Sequence, residues 1–138
     1  MYSRILVPVD LDNTDKLRKA LDLAGRTAKE NGATIVYVSV VDAVPTTSPQ
    51  TEADKMSRRL EYFAASQAAS HGVRARDCVA LRGDLHLNVG KDIIKAAKDA
   101  DCDLIVMASH TPGLKEHILS SNAGYVSSHA PMSVYVVR

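Results

Sequence analysis

One stretch of this sequence has the residue types of a phosphate-binding loop. MASHTPGLKEHILSSNAG, residues 107–124, follows an apolar run and leads into a segment with helical character. Such loops bind phosphate through backbone N–H groups in a turn and at a helix N-terminus, where the donors are unsatisfied and the helix dipole favours an anion. Here serine, threonine and alanine stand where glycine is usual. Every N–H is kept, but each Cβ makes a positive φ costly and crowds the approach of the phosphate oxygens.

Two outcomes for phosphate binding therefore remain open. If the substituted positions take negative φ, binding survives, and the hydroxyls of Ser120 and Ser121 add donors of their own. If a position requires the left-handed region, the cost is about 1–2 kcal/mol per residue, which corresponds to roughly a tenfold loss of affinity for each. The residues alone also explain ILSSNAG as a helix N-cap, for which serine and asparagine are preferred.

His110 is the side chain in this stretch that most resembles a general base. A general base requires an orienting partner and a positioned nucleophile, and the sequence indicates neither. We therefore interpret His110 as a loop side chain beside a phosphate, predict no catalytic residue, and assign Lys115 to a solvated helical turn. The remaining histidines lack the spacing of metal ligands, which argues against a metal site: His71, His86, His117 and His129.

A glycine-containing segment, GDLHLNVGK at residues 83–91, differs from known nucleotide loops. It is not the G-x-x-x-x-G-K-[ST] phosphate loop, because Asp92 follows Lys91. The G-x-G-x-x-G pattern is also absent from the segment. P-loop and Rossmann dinucleotide chemistry are therefore excluded.

Composition limits the partners of the chain. Seventeen Lys and Arg balance sixteen Asp and Glu, and there is no tryptophan among few aromatic residues, so neither nucleic acid nor an anionic membrane is expected as a partner. No apolar run reaches spanning length, so we expect no membrane insertion and a cytoplasmic protein, in which Cys78 and Cys102 are small buried thiols. The length predicts one domain, residues 1–138.

Apolar patterning divides the chain into alternating strands and helices. Strands are predicted at RILVPVD, ATIVYVSVVD, VRARDCVALRG, DLIVMAS and MSVYVVR, the third being the least apolar and nearest an edge. Helices are predicted between them. The first carries an apolar face, a cap at Asn13 or Thr14 and a stop at Gly32. The second runs from Thr51 to Gly72, the third is GKDIIKAAKDA, and a short last helix lies around SNAGYVSSHA. This alternation predicts an α/β domain with a parallel sheet.

The ligand site of such a sheet lies at the carboxyl ends of its strands. Three of the predicted strands end in candidate binding residues. The first strand ends at Pro8, Val9 and Asp10, and the second ends near Val40. The fourth strand ends at Met107, Ala108 and Ser109. From the residues alone, Asp10 is interpreted as an Asx turn or a helix cap, and Val40 as plain core.

Four segments together resemble the universal stress protein family: RILVPVD, Gly83-Asp84, CDLIVMASH and SSHAPMSVYVVR. The resemblance covers nearly the whole chain. It implies an open five-stranded parallel sheet of order 3-2-1-4-5 with helices on both faces, a Rossmann-like fold similar to that of the adenine nucleotide alpha hydrolases. It also implies a homodimer formed through the last strand and, in many members, binding of ATP or AMP.

The nucleotide motif of that family reads Gly-x-x-Gly, nine residues, then Gly-Ser or Gly-Thr. The matching residues are Ala108, Thr111, Ser120 and Ser121, and the loop between them is one residue shorter. The short loop followed by Ser-Asn-Ala resembles a branch that binds nucleotide, whereas Ser-Ser resembles a branch that does not bind ATP. The segment from Gly83 to Ile93 is about four residues longer than is usual in the family, and no family role carries over to it.

The resemblance implies a specific set of binding residues. It places Asp10 beside adenine and ribose and offers the backbone groups of Val40 to the adenine edge. The full set is Pro8, Val9, Asp10, Val40, Met107, Ala108, Ser109, His110, Thr111, Ser120, Ser121 and Asn122. Mg²⁺ would accompany ATP if ATP is the ligand.

Three functions compete at this point. The favoured hypothesis is a regulatory module for stress responses that binds ATP or AMP and signals through the shape of its dimer or through an unidentified protein partner. The second is a nucleotide-free homodimeric adaptor with a degenerate phosphate loop. The third is a slow ATPase, in which His110 or Asp10 assists a metal-bound phosphate.

Overall fold

Five parallel strands form the centre of the protein, as a computed structural model of residues 1–42, 49–82, 89–109 and 116–138 describes it. The strands are β1 Arg4–Pro8, β2 Thr34–Asp42, β3 Arg74–Arg82, β4 Leu104–Ala108 and β5 Ser133–Val137. Their order in the sheet is β3-β2-β1-β4-β5, and each pair of neighbours is parallel. The predicted α/β class and strand order are confirmed, and β3 lies at an edge as its composition indicated.

Four helices connect the strands. They are α1 Arg18–Asn31, α2 Pro49–His71, α3 Val89–Asp99 and α4 Glu116–His129. Before α1 the chain makes a short 3₁₀ turn over Thr14–Leu17, so the predicted cap at Asn13 precedes this turn and not the α-helix. Gly32 ends α1 with φ 64°, and its N–H bonds to carbonyls of the last turn, as predicted for a glycine stop. Helix α2 begins at Pro49, two residues before the predicted start at Thr51, and proline is well suited to the first helical position.

Helix α4 is longer than the sequence predicted. It begins at Glu116, so Ser120, Ser121 and Asn122 lie inside the helix. The interpretation of ILSSNAG as a helix N-cap is therefore wrong. The residues from Glu116 to Leu119 contain no glycine or proline and include two strong helix formers, which extends the helix toward the N-terminus.

Two hydrophobic clusters lie on opposite faces of the sheet. Helices α1 and α2 cover the first, and α3 and α4 cover the second. The first contains Ile5, Val7, Leu21, Ala24, Ile35, Tyr37, Leu60, Leu104 and Val106. The second contains Leu6, Val36, Val38, Ile93, Ala97, Ile105, Met107, Ala123 and Val126. Successive residues of β1, β2 and β4 thus alternate between two buried faces, which explains why these strands read as continuous apolar runs. Cys102 is buried, as predicted.

None of the helices, over the residues described, combines the length and apolarity that crossing a bilayer requires.

Replacement of Tyr37 by phenylalanine is expected to raise the free energy of unfolding by about 1 kcal/mol. Tyr37 is fully buried and packs edge-on against Phe63, and among the described residues its hydroxyl has no hydrogen-bond partner. A buried polar group without a partner costs about 1–3 kcal/mol. Urea denaturation of the two proteins at neutral pH measures the difference, and Tyr62→Phe, at a residue that is 79% exposed, is the control with little expected change.

The same variant is expected to change how stability depends on alkaline pH. Burial raises the pKa of Tyr37 above its ordinary value of 10.0. The phenol of the unfolded chain therefore ionises first, so this contribution to stability is full below pH 10.0 and is lost as pH rises beyond it. The Tyr37→Phe variant has no phenol at this position, so it is expected to lose less stability than the wild type as pH rises above 10.0. Denaturation at a series of alkaline pH values measures the free energy of unfolding of both proteins. If both lose the same amount as pH rises, the raised pKa of Tyr37 does not contribute to the pH dependence of stability.

Candidate functional site

The central strands bring the predicted strand-end residues to one edge of the sheet. β2, β1 and β4 are neighbours, so their carboxyl ends are adjacent. Pro8 ends β1 and is followed by Val9 and Asp10, while Val40 lies near the end of β2. Met107 and Ala108 close β4 and Ser109 follows it. These residues, which the sequence singled out from three separate segments, therefore line one edge.

β2 extends beyond β1 at this edge. The last pair of the β1–β2 ladder is Pro8 with Val38, and the Val9 N–H then donates to the Val38 carbonyl at 2.8 Å. β2 continues to Asp42, paired with β3. In a parallel ladder the N–H and C=O of one residue point to the same neighbour and successive residues alternate, so the peptide groups of Val40 point to the same side as those of Val38. They face the space past the end of β1.

The peptide groups of Val40 are accordingly a donor and an acceptor at the site. Among the described residues, no backbone hydrogen bond joins them to Val9 or to the turn that follows it. The side chain of Val40 packs against the second hydrophobic cluster. Val40 is thus core through its side chain, as the residues alone indicated, and recognition through its backbone stays a prediction that this packing permits.

Asp10 forms an Asx turn directly after β1. Its Oδ1 accepts the Asp12 N–H at 3.0 Å, its Oδ2 accepts the side-chain amide of Asn13 at 3.0 Å, and its carbonyl accepts the Asn13 N–H at 3.1 Å. The turn predicted from the residues is therefore confirmed. Each carboxylate oxygen retains a further lone-pair direction, since an ionised carboxylate accepts about four hydrogen bonds. Asp10 is half-buried, and its contact with a ligand stays a prediction.

Ser39 is a residue of this edge that the sequence analysis missed. It is 4% exposed, and its hydroxyl donates to the carbonyl of Val9 at 2.9 Å. The available signal was a single hydroxyl inside the otherwise apolar run of β2, which was interpreted as a plain buried strand. The bond ties the end of β1 to β2 just before the Asp10 turn.

The turn is also linked to α2 on its outer side. Arg59 pairs with Asp12 at 2.9 Å, and both side chains are exposed to solvent. An exposed pair of this kind contributes little to stability. Its effect is to place a cation next to the turn that carries Asp10.

The β4 side of the edge offers fewer groups than predicted. Met107 is buried in the second hydrophobic cluster, so only its backbone reaches the edge. The N–H of Ser109 donates to the carbonyl of Val137 at 2.8 Å, which uses one of the expected phosphate donors. Ala108 is half-buried and packs against the first cluster. Of the residues described at the end of β4, Ser109 thus has its N–H already engaged.

The remaining predicted residues belong to the loop and to α4. His110 and Thr111 lie outside the described residues, so their predicted roles stay predictions. Ser120 and Ser121 are helical, but their side chains are not among those described, while Asn122 is buried in the same helix. In the described part of the chain no group of three or more His, Cys, Asp and Glu residues is arranged to hold a metal ion.

Comparison with known proteins settles the family. The model of the universal stress protein family matches residues 1–138. This chain belongs to the universal stress protein family. Universal stress protein YxiE of Bacillus subtilis is 32% identical to it over 155 residues, which cover 100% of both chains. The resemblance noted in the strand ends is thus confirmed.

Solved structures of universal stress proteins share the fold. One from Archaeoglobus fulgidus aligns with a TM-score of 0.73 at 23% identity and covers 100% of both chains. Another, the universal stress protein of Archaeoglobus fulgidus in complex with dAMP, aligns with a TM-score of 0.72 at 22% identity and covers 99% of this chain and 98% of that one. At this identity the likeness establishes the fold of the universal stress proteins and not the ligand of this chain.

Proposed function

We propose that this universal stress protein binds an adenine nucleotide at the carboxyl edge of β1, β2 and β4 and acts as a regulatory module. The observation that carries the proposal is the register of β1 and β2, which directs the N–H and C=O of Val40 past the end of β1, at the same edge of the sheet as the Asp10 turn. Adenine presents a ring nitrogen acceptor next to an amino donor, so it is complementary to such a backbone pair. The carboxylate of Asp10 would accept a hydrogen bond from a ribose hydroxyl.

Two further considerations support an adenine nucleotide. A protein of the same family and fold has been solved in complex with dAMP. After β4, we propose the N–H groups of His110 and Thr111 and the hydroxyls of Ser120 and Ser121 for phosphate. The backbone N–H groups of Ser120, Ser121 and Asn122 lie beyond the first turn of α4, where N–H groups bond within the helix, so they do not count as phosphate donors. We therefore propose AMP or ATP as the ligand, with Mg²⁺ accompanying ATP.

The groups at the edge favour binding over turnover. Backbone N–H and C=O groups and a carboxylate already engaged in a turn orient a ligand, but they do not form a general base next to a nucleophile. We propose that occupancy of the site is transmitted through a dimer or a protein partner. Steady release of phosphate from ATP and Mg²⁺ that disappears in Asp10→Ala would instead support the slow ATPase.

The proposed function is tested by identifying the ligand directly. The protein is purified without added nucleotide and denatured, and any released small molecule is identified by mass spectrometry. Calorimetric titration with AMP, ATP and GMP then compares affinities. Co-purified adenine nucleotide, or heat from AMP or ATP that exceeds that from GMP, supports the proposal. A ligand-free protein that gives no heat with any of them refutes it.

The nucleotide-free adaptor is the second candidate, and one observation favours it. The Ser109 N–H, which would be a phosphate donor, is used by the Val137 carbonyl. With this bond formed, Ser109 does not donate its N–H to a phosphate. The absence of heat in the titrations above would favour the adaptor.

We propose that the dimer forms when β5 pairs with the same strand of a second copy. A proline placed in β5 is expected to weaken this dimer. β5 is an edge strand on which Tyr135 and Val136 are each 39% exposed. Because the carbonyl of Val137 faces β4, the peptide groups of Val136 face outward, where a second copy would pair. Val136→Pro removes that N–H in both copies without breaking the β4–β5 ladder, so the dimer dissociation constant is expected to rise about a hundredfold.

Light scattering at micromolar concentration measures this effect. Val136→Thr keeps the N–H and the β-branched shape and is the matched control, expected to remain dimeric. A wild-type protein that is monomeric at this concentration would refute the proposed dimer.

A further inference from the structure

Ser39 occupies the point at which the β1–β2 ladder stops. After the Val9 N–H has bonded to Val38, the next bond of a regular parallel ladder would run from the Val40 N–H to the Val9 carbonyl. That carbonyl instead accepts the hydroxyl of Ser39. The hydroxyl of Ser39 thus takes the place of the Val40 N–H as the donor to the Val9 carbonyl.

Burial of Ser39 stabilises the hydrogen bond from its hydroxyl to the Val9 carbonyl. Ser39 is buried, with 4% of the residue exposed, and a buried hydroxyl is stabilised by an acceptor inside the protein. The Val9 carbonyl supplies that acceptor at 2.9 Å. The chain then turns away at Asp10, whose side chain holds the following residues in the Asx turn. Val40 is left facing a position that none of the five described strands fills.

We propose that Ser39 is a positioning residue of the nucleotide site: by satisfying the Val9 carbonyl it ends the ladder early and keeps the Val40 N–H available to an adenine ring nitrogen. This inference rests on the proposed function. It also assigns base selectivity, because guanine carries a ring N–H where adenine carries an acceptor. Guanine would therefore place a donor against the Val40 N–H.

Ser39→Ala is expected to close the ladder and weaken the site. Without the hydroxyl, the buried Val9 carbonyl gains the Val40 N–H as its donor. The site then loses one hydrogen bond, for which the expected loss of AMP affinity is about tenfold. The preference for AMP over GMP is expected to fall as well, because the group that rejects guanine is engaged. Ser39→Thr retains a hydroxyl at the same position and is expected to restore AMP affinity to within about threefold of the wild type.

Two measurements on the full chain test the inference. Amide hydrogen exchange of Val40, followed by NMR in the ligand-free protein, is expected to slow about tenfold in Ser39→Ala and to stay near the wild-type rate in Ser39→Thr. Calorimetry with AMP and GMP on the same three proteins measures affinity and selectivity. Thermal denaturation identifies any general loss of stability, which by itself would lower the melting temperature without changing selectivity.

The outcomes separate the inference from the function on which it rests. Slower Val40 exchange together with weaker and less selective AMP binding in Ser39→Ala, reversed by threonine, supports the role of Ser39. If the wild type binds AMP and Ser39→Ala binds it equally well, the inference is wrong and the proposed function stands. If the wild type binds neither AMP nor ATP, the proposed function is wrong, and the role of Ser39 in nucleotide binding is wrong with it.

Discussion

Replacement of Asp10 by alanine is expected to weaken AMP binding about thirtyfold. The carboxylate organises the turn after β1 through the Asp12 N–H and the Asn13 side chain, and in the proposed site it also accepts a hydrogen bond from the nucleotide. A hydrogen bond to a charged group contributes about 1.5–3 kcal/mol, and 2 kcal/mol corresponds to about thirtyfold in affinity. Titration calorimetry with AMP measures the change.

Asp12→Ala is the matched control for this prediction. Asp12 lies in the same turn, but its exposed carboxylate pairs with Arg59 and not with the groups that face the edge. Removal of an exposed ion pair costs under about 1 kcal/mol, so AMP affinity is expected to stay within about threefold of the wild type. Equal losses in the two variants would mean that the turn as a whole matters and that Asp10 has no separate contact with the ligand.

Replacement of Gly25 by alanine is expected to lower the free energy of unfolding by about 1 kcal/mol, the balance of overpacking against improved helix propensity. Gly25 is buried in α1 where the ring of His71 packs against the helix, and a Cβ at this position would lie 2.5 Å from His71 Cγ and 2.9 Å from Nε2. Overpacking of this kind costs about 1–3 kcal/mol. Displacement of the ring also breaks its contact with Asp22 at 3.4 Å. These costs exceed the gain of roughly 1 kcal/mol in helix propensity from glycine to alanine.

Gly124→Ala is the control, since it makes the same substitution in α4 where no atom lies within 4 Å of the added Cβ. There only the helix propensity changes, and stability is expected to rise by about 0.5–1 kcal/mol. The double variant Gly25→Ala with His71→Ala tests the cause, because removal of the ring should recover most of the loss from Gly25→Ala. Additive effects of the two substitutions in urea denaturation would rule out the clash.

The order of elements could be predicted from the sequence because it depends on local patterns. The continuous apolar runs at Ile5–Val7 and Leu104–Met107 indicated strands covered on both faces, and both are buried between two helical layers. Gly32 ends α1 with the positive φ that favours glycine. The resemblance of the strand ends to universal stress proteins added the strand order, and both the family and the order are confirmed.

The start of α4 was predicted less well. Ser120 and Ser121 could cap a helix that begins after them. They could also lie inside a helix that begins earlier, at the helix-forming residues before them, and the structure shows this second arrangement. Local preference does not choose between these two, so the helix boundary was misplaced. The roles of His110 and Thr111 stay predictions for the loop.

The sequence by itself determined which strand ends carry polar groups, since Asp10 and Ser109 each follow an apolar run at the point where a strand must end. Only the tertiary structure decided what those groups do. The bond from Ser39 to Val9 joins residues 30 positions apart, and the bond from Ser109 to Val137 depends on the pairing of β4 with β5. The physical reason is that apolar periodicity reports the burial of a residue against its near neighbours, whereas hydrogen-bond partners across strands follow from register, which exists only in the assembled sheet.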